Sequence, residues 1–281
     1  MIKRIRGYLA VRRGDVPQAS AAIEAQGYAV LRQVFAPDEV AKLAAQLRAV
    51  YESDPPDVRE RPDWEREDFR YAMLNRSALA QQAVGHPRIL ETLEPLLGDD
   101  CHVIANTCWR NPPNGRDGDR GGFWHIDAGP HVPRPEGVAW PDSVPYPVFA
   151  IGAHLLLQDC PLDCGPTGVI PRSHRSGRTP PRDQPFADDL EHEGAVAVAL
   201  DGRAGDVALF ASDIWHRRLP TGPGDTGRFF LQAHYGRRDI AQRLRTTAEV
   251  NQVSPQAIER AGTDERARSL IGLHAPMFYD G

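Results

Sequence analysis

The sequence predicts a mainly β protein with flanking helices, its core a sandwich or barrel of short antiparallel strands. Three observations point there. Between about residues 99 and 236, short apolar segments recur with Gly, Pro and Asp between them, the pattern of an antiparallel sandwich or barrel. The 281 residues include 25 glycines and 25 prolines, about 18% of the chain where about 12% is usual and low-complexity disorder begins near 25–30%. That excess marks turns. Both flanks carry helical periodicity, and no internal repeat is visible. We expect a single domain over residues 1–281: a helical part to about 98, a β core over about 99–236 and a helical tail over about 237–281.

The elements follow in order. A short helical piece precedes Gly27-Tyr28-Ala29-Val30-Leu31, a strand. Pro37 suits the first turn of the next helix, and Asp38 and Glu39 complement its N-terminal dipole. Val40, Leu43, Ala44, Leu47, Val50 and Tyr51 recur at helical spacing and form one apolar stripe. Residues 52–70 are charged and Pro-rich, a surface loop. Residues 78–97 read as helix ending at Gly98. Strands are expected at Cys101–Trp109, Phe123–Asp127, Val148–Leu157, Ala195–Leu200, Val207–Phe210 and Arg228–Tyr235. Residues 240–271 return to helix, with Ser254-Pro255 as N-cap and first-turn proline. Residues 128–147 hold six prolines and no periodicity. A structureless stretch that long is usually functional or disordered, and its position directly after Asp127 suggests an active-site lid.

Composition excludes several function classes. With 41% hydrophobic and 25% charged residues, wholesale disorder does not fit, and so many prolines would break a coiled coil. The net charge is −5, so no basic face for nucleic acid is implied. No run of 18 apolar residues marks a membrane span, and the basic N-terminus lacks the apolar core of a secretory signal. Cys101, Cys108, Cys160 and Cys164 form no CxxC pair and read as reduced thiols, which predicts a cytoplasmic protein.

The chemistry centres on His125-Ile126-Asp127. On a strand, residues two apart point to one face, so an imidazole and a carboxylate converge. They supply two ligands of a site of two histidines and one carboxylate, which leaves positions on Fe(II) open. A chain with 10 histidines and 38 acidic residues carries about one such triplet by chance, so context must support it. The third ligand should come from a later strand. Ala204 to Phe210 reads as a turn into a strand, and His216 follows. Twelve residues on, Arg228 opens the apolar strand RFFLQAHY. An inward arginine is costly unless it meets an anion, and a carboxylate is its natural bidentate partner.

Four segments together resemble the phytanoyl-CoA dioxygenase family of Fe(II)/2-oxoglutarate oxygenases. Phe123-Trp124-His125-Ile126-Asp127 is similar to its aromatic-His-x-Asp motif. Cys164-Gly165-Pro166-Thr167-Gly168-Val169-Ile170-Pro171-Arg172-Ser173-His174 is similar to its Gly-rich segment ending in Ser-His. Gly205-Asp206 through His216 resembles the strand leading to its distal histidine, with Arg228 at the family spacing. Gly27 to Leu31, running into Phe35 to Val40, resembles its N-terminal approach. The resemblance spans about residues 20–240. It implies a double-stranded β-helix (jelly roll) with helices outside. It implies that His125, Asp127 and His216 bind iron, that Arg228 holds the distal carboxylate of 2-oxoglutarate, and that the Thr167 hydroxyl contacts this cosubstrate. The reaction it implies consumes O2, releases succinate and CO2, and hydroxylates an unactivated C–H bond of a small molecule, either a secondary metabolite or an amino-acid-like acid.

Two positions depart from the family pattern. Arg172 stands where glycine is frequent, and Arg218 stands two residues after the distal histidine, where a small hydroxyl is frequent. Arg218 therefore puts the usual secondary cosubstrate contact in doubt. Arg110, on the strand before the motif, is a further candidate for an acidic group. His102, His131, His154, His174 and His234 fall in or near the expected core; any could replace His216 if the strand register differs, and His234 shares a strand face with Arg228. Two other functions compete: a jelly roll that binds a small molecule without catalysis, and a zinc-dependent hydrolase using the same three ligands. The hydrolase lacks an evident general-base glutamate and leaves Arg228 unexplained.

Overall fold

Gly27 closes the first helix, α1 (Gln18–Gln26), and turns the chain into β1 (Tyr28–Leu31). Its φ is +90°, and a Cβ there would lie 2.6 Å from His174 Nδ1 and 2.7 Å from Ile214 Cδ1, so this turn needs glycine. The structure, a computed structural model, describes residues 17–53, 69–113, 120–127, 129–141, 143–240 and 253–274. Most of the expected 52–70 loop and the start of the expected 240–271 helix lie outside these residues.

Helix α2 (Pro37–Ser53) buries Val40, Leu43, Ala44, Leu47, Val50 and Tyr51, the six residues of the expected stripe. The Glu39 carboxylate accepts the Ala36 amide at 2.7 Å. The helical region expected over 78–97 is three pieces: α3 (Met73–Arg76), α4 (Ala78–Val84) and α5 (Pro87–Leu97). Ser77 caps α4 by accepting the Ala80 amide at 2.9 Å. Pro87 forces His86 out of helical geometry, to φ −58° and ψ 129°, and this is the physical reason the pattern breaks there.

The strands are β2 (Phe69–Tyr71), β3 (His102–Asn111), β4 (Ala150–Leu156), β5 (Thr167–Val169), β6 (Val198–Ala199), β7 (Val207–Ala211), β8 (His216–Arg218) and β9 (Arg228–Gly236). They form a six-stranded antiparallel sheet of order β1-β7-β4-β9-β3-β2 and a three-stranded sheet of order β6-β5-β8. Val169 of the small sheet and Leu200, just after β6, pack on Ala208 and Phe210 of the large one. This is the double-stranded β-helix the sequence led us to expect. Two helices close the described chain, α6 (Pro255–Ala261) and α7 (Glu265–Leu270), and Ser254 caps α6 by accepting the Ala257 amide at 3.2 Å.

Period-two alternation sorts the large sheet into two faces. Ile151, Ala153 and Leu155 of β4 and Phe229, Leu231, Ala233 and Tyr235 of β9 join Leu43, Leu47 and Leu93 in one apolar core beneath the helices. Their alternates, His154 on β4 and Arg228, Phe230, Gln232 and His234 on β9, face the small sheet. All seven residues of β4 are buried, because one face meets helices and the other meets the second sheet.

Two expectations need correction. Phe123–Asp127 is no strand: its ladder contact is one isolated bridge, His125 to His216. The reason is length, since β8 is three residues long and turns away. Conversely, β2, β5 and β8 were not expected; Phe69 and Arg70 fall at the end of the expected 52–70 loop but pair with β3, Thr-Gly-Val beside Gly165-Pro166 reads as a turn, and His-Arg-Arg carries no apolar alternation.

Asp206 links β7 to the start of the chain. Its carboxylate accepts the amides of Gln33 at 2.8 Å and Arg203 at 3.0 Å and the Arg32 Nη1 at 2.9 Å. Burial pushes its pKa up, but these donors outweigh burial and hold it below the ordinary 3.8. Stability from a depressed carboxylate is present above its unfolded pKa and lost as pH falls through the folded value. Asp206→Asn should lower unfolding free energy by roughly 1.5–3 kcal/mol at pH 7, measured in urea. The gap between variant and wild type should close as pH drops below about 3.8.

Candidate metal centre

The two histidines of the centre are held together by backbone. The His125 amide donates to the His216 carbonyl and the His216 amide to the His125 carbonyl, each at 2.9 Å. The Asp127 amide donates to Ser212 O at 3.1 Å, while the Trp124 amide turns the other way, to Pro185 O at 2.7 Å. The segment is thus extended, and His125 and Asp127 fall on one side despite the missing ladder. The imidazoles of His125 and His216 lie 4.2 Å apart, centroid to centroid.

Each histidine is oriented by its far nitrogen. His125 Nδ1 is 2.9 Å from Phe123 O, and His216 Nδ1 is 2.9 Å from Ile214 O. A carbonyl fixes Nδ1 as the protonated nitrogen, so Nε2 carries the lone pair, the arrangement of metal-ligating histidines. His216 Nε2 is 3.4 Å and His125 Nε2 is 3.9 Å from Asp127 Oδ1. All three donor atoms lie within 4.8 Å of one another. Among the described residues this is the one His/Cys/Asp/Glu cluster whose donors converge so.

Electrostatics agree with a donor set built for a cation. Burial and then the neighbouring His216 push His125 down to about 4. Burial opposes ionisation of Asp127, yet His216 and His234 outweigh it and hold the carboxyl well below its usual range. Burial likewise lowers His216, but Asp127 outweighs it and raises the imidazole above 6.5. His234 Nε2 stands 3.0 Å from Asp127 Oδ2, leaving Oδ1 toward the two ligand nitrogens.

These residues line a cavity of about 650 Å³ between the two sheets. Trp109, Phe123, Phe186 and Phe230 supply its apolar wall, and His154, Thr167, Arg218, Arg228 and Gln232 its polar one. Arg228 Nε donates to Asn111 Oδ1 at 2.7 Å and Nη1 to the Gly165 carbonyl at 3.2 Å. Thr167 Oγ1 is 3.1 Å from His154 Nδ1, so in this structure its hydroxyl is engaged by a neighbour rather than directed at open space. Gln232 Oε1 accepts from Trp109 Nε1 at 2.7 Å and from Thr107 Oγ1 at 3.1 Å.

The remaining candidates fall elsewhere. Arg110 stacks over Tyr51 at 4.5 Å, on the helix-covered face and away from the cavity. Arg172 sits at φ +65°, which accounts for glycine at this position elsewhere in the resemblance. It pairs with Glu193 at 3.7 Å beside a different groove. His102 meets His274 at 2.6 Å and His174 meets Glu24 O at 3.1 Å, both remote from the metal group. The four cysteines are free and buried.

The expected lid is the main correction at the site. None of the described residues of 129–147 lines the metal cavity. Several line the adjoining groove instead, among them Arg134, Val138 and Trp140. Asp213 anchors this loop: it accepts the His131 amide at 3.1 Å and the Tyr146 hydroxyl at 3.2 Å and pairs with His131 Nδ1.

The sequence profile of the phytanoyl-CoA dioxygenase (PhyH) family matches residues 23–220. The chain belongs to this family. The match includes all three metal-site residues and Thr167, and ends before Arg228. No curated protein matches the chain significantly. Among solved structures, the fold is similar to that of the epimerase SnoN, solved in complex with Fe3+, alpha ketoglutarate and nogalamycin RO (20% identity, 88% of this chain and 91% of that one, TM-score 0.61). It is similar to the alpha ketoglutarate dependent carbocyclase SnoK from nogalamycin biosynthesis (18%, 86% and 92%, 0.61). It is also similar to HygX from Streptomyces hygroscopicus with nickel and 2-oxoglutarate bound (15%, 82% and 90%, 0.59).

Within this PhyH-family chain, the sequence placed His234 on the strand face of Arg228, and the structure sets it beside Asp127; the inward place of His154 was not read from the sequence. His154 carries a signal in hindsight: it occupies an inward position of a strand whose opposite residues are wholly apolar. Asp213→Ala should free the 129–147 loop while leaving the sheets intact. Hydrogen exchange at the His131 amide should rise sharply and that of β4 and β9 should not change, with a stability loss of roughly 1.5–3 kcal/mol for the lost charged acceptor.

Proposed function

We propose that this PhyH-family protein is an Fe(II)/2-oxoglutarate-dependent oxygenase that hydroxylates an unactivated C–H bond of a small molecule. One observation carries the reading: His125, Asp127 and His216 converge in the same cavity that Arg228 enters from the opposite sheet. Two neutral imidazole nitrogens and one carboxylate oxygen are the donor set of a non-haem iron site with open positions. Among the described residues lining the cavity, Asp127 is the one carboxylate. It belongs to the metal set, so no second carboxylate is left as the general base that a zinc hydrolase would need.

When bound, Fe(II) with 2-oxoglutarate and O2 supplies the oxidation, with succinate, CO2 and the hydroxylated product as the outcome. The chain's own contribution is placement. The Phe123 and Ile214 carbonyls keep Nε2 of each histidine available, and His234 Nε2 stands beside the far oxygen of Asp127. Asn111 and the Gly165 carbonyl aim the Arg228 guanidinium, which takes the distal carboxylate of the cosubstrate. Thr167, turned toward His154, helps to frame that end of the cavity. The aromatic wall of Trp109, Phe123, Phe186 and Phe230 holds the carbon skeleton of the substrate and keeps water out. The aromatic cavity suits a small secondary metabolite or amino-acid-like acid, in keeping with structures of similar fold that are from nogalamycin biosynthesis or in complex with nogalamycin RO.

The ligand set is tested by metal binding. Asp127→Ala and His216→Ala should remain folded, with melting temperatures near wild type. They should lose the weak visible absorption that wild type shows when Fe(II) and 2-oxoglutarate are added without air, and release no succinate. Wild-type turnover by His216→Ala would assign the third ligand to another histidine.

Asp127 also bears on the reaction outcome. Its carboxylate places an anionic oxygen where a halide would otherwise sit, so oxygen transfer is expected rather than halogenation. Turnover in high chloride or bromide should give a product heavier by one oxygen by mass spectrometry. Halogen in the product of the unaltered protein would overturn this.

A further inference from the structure

Among the described residues, Arg218 is a buried cation without a counter-charge. It is 8% exposed, lines the metal cavity, and its Nε and Nη2 have no hydrogen-bond acceptor among the described residues. Its neighbour in sequence shows the contrast. Arg217 also borders the cavity, but it pairs with Asp188, donates to Phe186 O at 3.1 Å and covers Trp124. Burying an unpaired guanidinium costs several kcal/mol, and a fold that retains one in a cavity is organised around an anion that arrives there.

The register says where that anion sits. Thr167 of β5 lies directly opposite Arg218 of β8, and His216 is two residues earlier on the same face, about 6.6 Å along the strand. That is the reach of a short dicarboxylate whose other end is on the metal. Gly165 marks the far end. Its carbonyl accepts Arg228 Nη1 at 3.2 Å, and a Cβ on it would stand 3.1 Å from Arg218 Nε. Both guanidiniums therefore reach the same residue, one from each sheet. Gly165 adopts φ +62°, and a Cβ would also strike Leu219 O at 2.6 Å, so the bare glycine makes room for the pair.

We propose that Arg218 and Arg228 form a two-guanidinium carboxylate subsite around Gly165, and that it holds the distal carboxylate of 2-oxoglutarate. This rests on the functional reading above. The arrangement replaces a hydroxyl contact with a second charge. Arg218 alone is buried at a cost, and a carboxylate shared with Arg228 offsets it. The same chemistry would accept a carboxylate of the substrate, and the test separates the two sources.

The experiment is calorimetric titration of the Fe(II)-loaded protein under nitrogen, with 2-oxoglutarate and with 2-oxobutyrate, which keeps the chelating end and lacks the distal carboxylate. Arg218→Met should weaken 2-oxoglutarate about tenfold to a hundredfold and leave 2-oxobutyrate unchanged. Arg218→Lys, which keeps the charge but not the fork, should fall between. The ligand-free melting temperature of Arg218→Met should equal or exceed that of wild type, because an unpaired buried charge is removed; a structural arginine would lower it. Unchanged 2-oxoglutarate affinity in Arg218→Met, with wild type binding normally, would overturn the proposal and assign Arg218 to the substrate. A parallel loss for both keto acids would overturn it too, placing the effect at the metal end. Failure of wild type itself to bind 2-oxoglutarate would instead overturn the functional reading, and this subsite with it.

Discussion

The pair of reciprocal backbone hydrogen bonds between His125 and His216 is the constraint on which the site depends. They join an otherwise irregular segment to a three-residue strand. Without them the segment that carries His125 would have no ladder contact with β8. With them the rings stand face to tilted face, and Asp127 follows into the same space by simple alternation. Side-chain hydrogen bonds to Phe123 O and Ile214 O then decide which nitrogen of each ring is offered. A few short-range bonds thus set ligand position, direction and protonation together.

That bridge can exist because the large sheet is covered on both sides. Its outer face is closed by α2, α5 and the apolar alternates of β4 and β9, which makes it rigid. Its inner face is then free to carry groups that a core would reject: His154, Arg228, Gln232 and His234. Each such group costs desolvation free energy, and most are answered locally. Gln232 accepts from Trp109 and Thr107, Arg228 donates to Asn111 and Gly165, and His234 stands against Asp127. Arg218 departs from that pattern, and the departure lies in the cavity rather than at the surface. The fold spends packing energy on one face to hold a polar, cation-rich arrangement on the other.

The loops around this frame diverge from the core's logic. The 129–147 segment follows Asp127 almost directly in sequence, yet Asp213 ties it down beside a separate arginine-lined groove. Proximity in sequence to a ligand does not place a segment over the site. The solved structures of similar fold include an epimerase and a carbocyclase, so the β-helix itself does not specify one reaction.

Much of the fold was legible from local patterns. The stripe of α2 appeared in sequence as the six residues that it buries, and the long strands β3, β4, β7 and β9 announced themselves by apolar runs. His125 and Asp127 were legible because alternation needs no partner strand, and His216 and Arg228 because their spacing matched a known family. Other features were not, and for a physical reason. β5 and β8 are three residues each, too short and polar for periodicity to register, and are strands only because they pair with each other across the fold. His154 looks like any core histidine until the register turns it inward. Sequence alone determined the donor types, the helix faces and the order of the long strands, because these depend on neighbours along the chain. Tertiary structure alone decided that Arg217 is paired and Arg218 is not, and that Gly165 lies between two guanidiniums. Those facts depend on what residues distant in sequence bring to the same few ångströms.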